Sequence, residues 1–119
     1  MTIEKYIEKL SKSIRECRRK NRKIDAGTLL KLRFAIAYTE GDKAIDELRD
    51  KRIAKEITAK YSIDDQIAIM FNSASKPTKY AEYQEFRCAC KVKVDAEMAT
   101  LKSNLIEYLN EPMEVDDEY

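Results

Sequence analysis

Few side chains in this sequence are arranged for bond chemistry. Cys88 and Cys90 form a C-x-C pair, a spacing that can supply two thiolates to a metal. On a helix, however, positions i and i+2 diverge by about 200°. The two thiols then face different ways, and the chain has neither a histidine nor a second cysteine pair to complete a tetrahedral set. Cys17 and Cys90 fall on apolar stripes and are expected as small core residues, with Cys88 outward. Asp64–Asp65 and Asp116–Asp117 are paired carboxylates, the raw material of acid–base catalysis. Neighbouring helix positions splay apart, though, and acids at 64 and 65 suit a helix N-terminus, whose dipole favours negative charge. No nucleophile elbow or Ser–Lys signature accompanies them. The expectation is a protein that is not an enzyme, with no catalytic, metal or cofactor site.

What remains is ionic and aromatic contact. Lys12, Arg15, Arg18, Arg19, Lys20, Arg22 and Lys23 lie within twelve positions, opposed only by Glu16. Most of them fall opposite the apolar stripe of their helix. Such a face suits an acidic protein surface or nucleic-acid phosphates, and it also suits plain solvation. The segment Glu111–Tyr119 mirrors it, with Glu111, Glu114, Asp116, Asp117 and Glu118 and no base. Residues 1–60 hold 17 basic and 10 acidic residues, while residues 61–119 hold 6 and 12, so the formal net charge of +1 hides a separation of signs. That separation points to a charged partner or to self-association of unlike ends. The near-neutral total counts against nucleic acid. Tyr80, Tyr83 and Phe86 recur at intervals of three and, with Leu101, Leu105 and Tyr108, are expected at a protein interface, where aromatic anchors carry much of the binding energy.

The elements that must position these residues are helical. Charged residues make up 38% of the 119, against about 25% in ordinary domains. Two glycines and two prolines exclude a hairpin-rich fold or a phosphate-cradling glycine loop. Ile3, Ile7, Leu10, Ile14 and Cys17 step by 4, 3, 4 and 3, predicting helix 3–22 behind a Thr2 cap. Asp25 caps a second helix running to 39, apolar around much of its circumference and so expected at the buried centre of a bundle. Gly41 either ends that helix or lies within a longer rod. Asp42 suits the cap of a helix over 43–60 with Ile45, Leu48, Ile53 and Ile57 inward. Ser62-Ile63-Asp64-Asp65 opens a short helix over 63–72 carrying Ile63, Ile67, Met70 and Phe71. After the Asn72–Thr78 loop, a long helix over 78–110 carries the seam Cys90, Val94, Met98, Leu101, Leu105 and Tyr108. Its length of roughly 50 Å implies that part of it projects or meets a second copy. The fold class expected is all-α, four or five helices in a small bundle with a long C-terminal helix. Residues 1–110 form one domain, followed by an acidic tail over 111–119.

The first residues carry Glu4, Lys5, Glu8 and Lys9 in place of the apolar core of a signal peptide. The longest apolar run, Ile67–Phe71, falls far short of the ~20 residues of a membrane span. A cytoplasmic protein with reduced thiols and no membrane partner is expected.

Two stretches carry a family likeness. Lys51-Arg52-Ile53-Ala54-Lys55-Glu56-Ile57 leads into Tyr61-Ser62-Ile63-Asp64-Asp65-Gln66, and Tyr80-Ala81-Glu82-Tyr83-Gln84-Glu85-Phe86 is followed by Cys90, Lys91 and Val94. Together they resemble small helical proteins encoded among the structural genes of tailed bacteriophages. The likeness covers about residues 51–98, rests on capping and packing residues, and implies a virion component or assembly factor. The function expected is therefore non-catalytic protein binding in a bacteriophage structural or assembly component, in several copies. One alternative is a small inhibitor of a host nucleic-acid enzyme, with acidic groups such as Asp64, Asp65, Glu82 and Glu85 imitating phosphates. A second is a nucleic-acid binder using the basic first helix.

Overall fold

The computed structural model describes residues 1–112, which form five helices and no strand. These are α1 (Ile3–Arg19), α2 (Ala26–Glu40), α3 (Asp42–Lys60), α4 (Ile63–Phe71) and α5 (Pro77–Leu109). The all-α architecture with a long last helix is as the sequence predicts. The chain forms two compact units. One holds Met1–Ile45 and the described residues from Ala99 onward; the other holds Asp46–Met98.

The helix ends follow from local hydrogen bonding. Thr2 Oγ1 accepts the Lys5 N–H at 3.3 Å, Asp25 Oδ2 the Thr28 N–H at 3.3 Å, and Ser62 Oγ the Asp65 N–H at 3.1 Å. Each satisfies a donor that the first helical turn leaves free. The end of α1 corrects the expected boundary. Asn21 adopts a left-handed conformation, φ 53°. Its N–H donates to the Arg18 carbonyl at 3.2 Å, and the Arg22 N–H donates to the Cys17 carbonyl at 2.8 Å. This paired closure is a Schellman motif, and asparagine tolerates its left-handed position better than most residues. Helix α1 therefore stops at Arg19, and Arg22 and Lys23 lie beyond the helix.

Gly41 settles the relation of α2 to α3. Its φ of +115° ends α2, its N–H donates to the Ala37 carbonyl at 3.0 Å, and α3 restarts at Asp42. Asp42 is thus the first helical residue, an acid at the positive end of the dipole, and does not stand outside as a cap. Pro77 opens α5, where its missing N–H costs nothing.

In the unit built on Met1–Ile45, α1 packs on α2. Tyr6, Ile14, Phe34, Ala35 and Ala37 are buried, as are Leu101 and Leu105 from the end of α5. The Tyr6 and Tyr108 rings lie 4.9 Å apart, and burial first, then Tyr108, pushes the Tyr6 hydroxyl up from its usual range. Helix α2 is less enclosed than its composition implies. Phe34, Ala35 and Ala37 are covered, but Ile36 and Tyr38 are exposed, because its apolar residues encircle more of the helix than the unit covers.

In the unit Asp46–Met98, the core is Ile53, Ile57, Tyr83, Cys90, Val94 and Met98. The Tyr61 ring stands edge-on to Tyr83 at 5.2 Å and to Phe86 at 5.5 Å. Lys60 Nζ lies 4.5 Å from the Phe86 centroid, within cation–π range. The Tyr83 hydroxyl donates to Gln66 Oε1 at 2.7 Å.

Two substitutions test this description by chemical denaturation. Gly41→Ala meets no atom within 4 Å, so its cost is purely conformational, and a loss of about 1 kcal/mol is expected. Tyr83→Phe removes the bond to Gln66 and is expected to cost about 1 kcal/mol.

Candidate functional site

Three surfaces could bind something, and each belongs to one unit. The first is the α1 basic face. Lys12, Arg15, Arg18, Arg19, Arg22 and Lys23 are all exposed. Glu16 partly neutralises the face, pairing with Arg19 at 3.3 Å and Lys20 at 3.7 Å. Lys12, Arg15 and Arg18 have no carboxylate partner among the described residues. A shallow depression of about 400 Å³ runs along this helix past Lys9, Lys12, Ser13 and Glu16.

The second surface is α4. Ile63, Ile67 and Met70 recur at spacings of four and three, with Phe71 beside them, so all four share one side of the helix. That side faces outward: Ile63 is 65% exposed, Ile67 60%, Met70 52% and Phe71 88%. The half-buried positions are Gln66, Ile69 and Ser73, again three and four apart. Gln66 holds this orientation. It receives the Tyr83 hydroxyl at 2.7 Å and its Nε2 donates to the Tyr61 carbonyl at 3.0 Å. A polar residue thus anchors the helix, and its greasy side is more than half exposed, with Ile63 at the edge nearest α3.

The third is a groove of about 520 Å³ in the same unit. Ile53, Ala54, Ile57 and Ile63 supply its apolar lining; Arg49, Asp50, Arg87 and Lys91 supply charge.

Part of the charge of this unit is spent internally, between α3 and α5. Arg49 grips Asp95 through Nε and, at 3.2 Å, through Nη2. Arg52 Nη2 reaches Glu97 Oε2 at 2.9 Å and Glu56 at 3.1 Å, and Lys93 Nζ reaches Glu56 at 2.9 Å. The Lys93 hydrogen bond, seconded by Arg52, holds the Glu56 carboxyl below its ordinary range, and Arg49 does the same for Asp95. Glu56 in turn holds Lys93 above the ordinary lysine range.

Several expected interface residues are core. Tyr83, Leu101 and Leu105 are buried, Tyr83 because its ring and hydroxyl are both engaged within its unit. Tyr80, Phe86 and Tyr108 are half-buried. Of the α5 seam, Cys90, Val94, Met98, Leu101 and Leu105 are buried and Tyr108 is half-buried, so most of the stripe expected to await a partner is covered. Cys90 is buried, which raises its thiol pKa; Cys17 is half-buried and Cys88 exposed. Among the described residues no group of three or more Cys, Asp or Glu could hold a metal ion. In the acidic segment Glu111 is exposed, while Glu114, Asp116, Asp117 and Glu118 lie outside the described residues. No helix among the described residues is long and apolar enough to cross a membrane. The sequence reading missed Arg49, Arg87 and Lys91, which come together only through the pairing of α3 with α5.

No protein-family model, curated protein or solved structure matches this chain.

The carboxylates give a pH test. Folding lowers the pKa of Glu56 and Asp95, so their stabilisation is complete above the unfolded-state values of about 4 and is lost as pH falls through the lower folded values. Thermal melts of wild type and of the Glu56→Gln, Asp95→Asn double variant are expected to differ near neutrality, with the variant lower, and to converge in acid.

Proposed function

We propose that this chain is a non-catalytic protein-binding helical protein, a bacteriophage structural or assembly component that works in several copies, in the host cytoplasm or the virion. One observation carries the binding reading: a nine-residue helix with no buried residue turns four large apolar side chains to its surroundings. Taking such a side chain from full exposure to full burial contributes about 1.5–3 kcal/mol, and the half or more of each that is still exposed makes α4 a docking element. The patch is contiguous, and contiguous apolar patches mark interaction sites far more often than scattered single residues do. The bacteriophage context rests on the resemblance of residues 51–98, which coincide closely with the unit Asp46–Met98. In this reading the α1 cations meet an acidic surface on a neighbour.

A nucleic-acid reading is favoured by Lys12, Arg15 and Arg18, exposed and without carboxylate partners among the described residues. A gel shift at two salt concentrations tests it; no retarded band at low salt removes it.

The main reading is tested by light scattering during gel filtration. Wild type is expected to run as a multimer, and Ile67→Asp with Phe71→Asp to reduce it to a monomer with an unchanged circular dichroism spectrum. Both positions are exposed, so the variant keeps its fold. A wild-type monomer at all concentrations and salt levels contradicts the proposal.

A further inference from the structure

The groove of the unit Asp46–Met98 combines two features that seldom serve solvent alone. Its floor is apolar, from Ile53, Ala54 and Ile57, with Ile63 of α4 at its edge. Its charge is unbalanced. Asp50 pairs with Arg49 at 3.5 Å, and Arg49 also holds Asp95. Arg87 and Lys91 have no carboxylate partner among the described residues. The Arg87 guanidinium lies over the Tyr83 ring, 5.7 Å from its centroid, and its Nη1 donates to Gln84 Oε1 at 3.4 Å; Lys91 is exposed. A fitting occupant is a short segment that interleaves apolar side chains with carboxylates.

This chain contains such a segment. Met113-Glu114-Val115-Asp116-Asp117-Glu118-Tyr119 carries three apolar or aromatic residues and four acids, with no base. Its charge is opposite to that of Arg87 and Lys91, and its apolar residues match the isoleucine floor. We propose that the groove is the docking site for residues 113–119 of a second copy of this chain. This rests on the reading of the protein as a multi-copy binder and deepens it, because it gives the acidic segment a receptor other than the α1 basic face. The ionic part of the contact weakens with added salt, and the apolar part persists. A head-to-tail contact of this kind joins unlike surfaces, so it builds rings or open chains of subunits.

The chain has no tryptophan, so Tyr119→Trp places a single indole reporter in the segment. In the full-length chain, the reporter's emission is expected to shift to the blue as concentration rises. Adding Ala54→Glu or Lys91→Glu is expected to abolish the shift, since each brings negative charge to the groove at an exposed position that the fold tolerates. Arg15→Glu with Arg18→Glu on α1 is expected to leave it in place. The proposal is overturned by a shift that survives both groove variants, by one lost only in the α1 variant, or by one independent of concentration. It is also overturned by a solvent-exposed indole throughout. Light scattering on the same samples separates the two claims: multimers with an exposed indole refute the groove alone, and monomers refute the multi-copy reading as well.

Discussion

The contact on which the functional reading turns is a hydrogen bond between two uncharged side chains. The Tyr83 hydroxyl donates to Gln66, and Gln66 donates to the Tyr61 carbonyl. Both groups sit where water is scarce, and a half-buried amide left unpaired would cost more than the bond itself yields. With Gln66 anchored, Ile67 and Phe71 turn outward, while Ile63 and Met70, three and four positions from Gln66, flank the anchored edge and remain more than half exposed. An amphipathic helix usually hides its apolar stripe. Here the stripe is exposed, and the half-buried side of α4 carries Gln66, which bonds to Tyr83 and Tyr61.

The charges divide in a comparable way. Arg49, Arg52, Glu56, Lys93, Asp95 and Glu97 pair with one another along α3 and α5. Single pairs at such exposure contribute little; a chain of shared partners, with Arg52 and Glu56 each bridging two, fixes more geometry for the same loss of side-chain freedom. One cost is visible: Arg52 Nε is buried without a partner among the described residues. Arg87 and Lys91 in one unit and Lys12, Arg15 and Arg18 in the other are among the cations that have no carboxylate partner among the described residues.

The sequence discloses what is local. Thr2, Asp25, Gly41 and Ser62 mark helix ends because caps act within three or four residues, and α5 is legible from its long seam. Asn21 escapes notice because a left-handed asparagine looks like any other polar loop residue. The two units are invisible for a different reason: their boundaries pass through the interiors of α3 and α5, where composition does not change and no glycine or proline intervenes. Periodicity tells which residues of α4 share a side, and it is silent about which side is covered; that is decided by Tyr83, seventeen positions away. Tyr83, Leu101 and Leu105 read as interface anchors for the complementary reason, since a buried apolar residue and a docking one have the same sequence signature. The groove gathers residues from 49 to 91 and leaves no linear trace.

The outward orientation of α4 can be read directly at its methionine. Met70 is half exposed on α4, whereas Met98 is buried in the core of the same unit. Thioether oxidation by dilute peroxide follows solvent access, so peptide mass spectrometry of the dilute protein should find Met70 oxidised well before Met98, with the order holding until the chain is concentrated enough to associate. Equal protection of the two methionines in the dilute chain would mean that α4 turns its apolar side inward, and the binding surface described above would not exist.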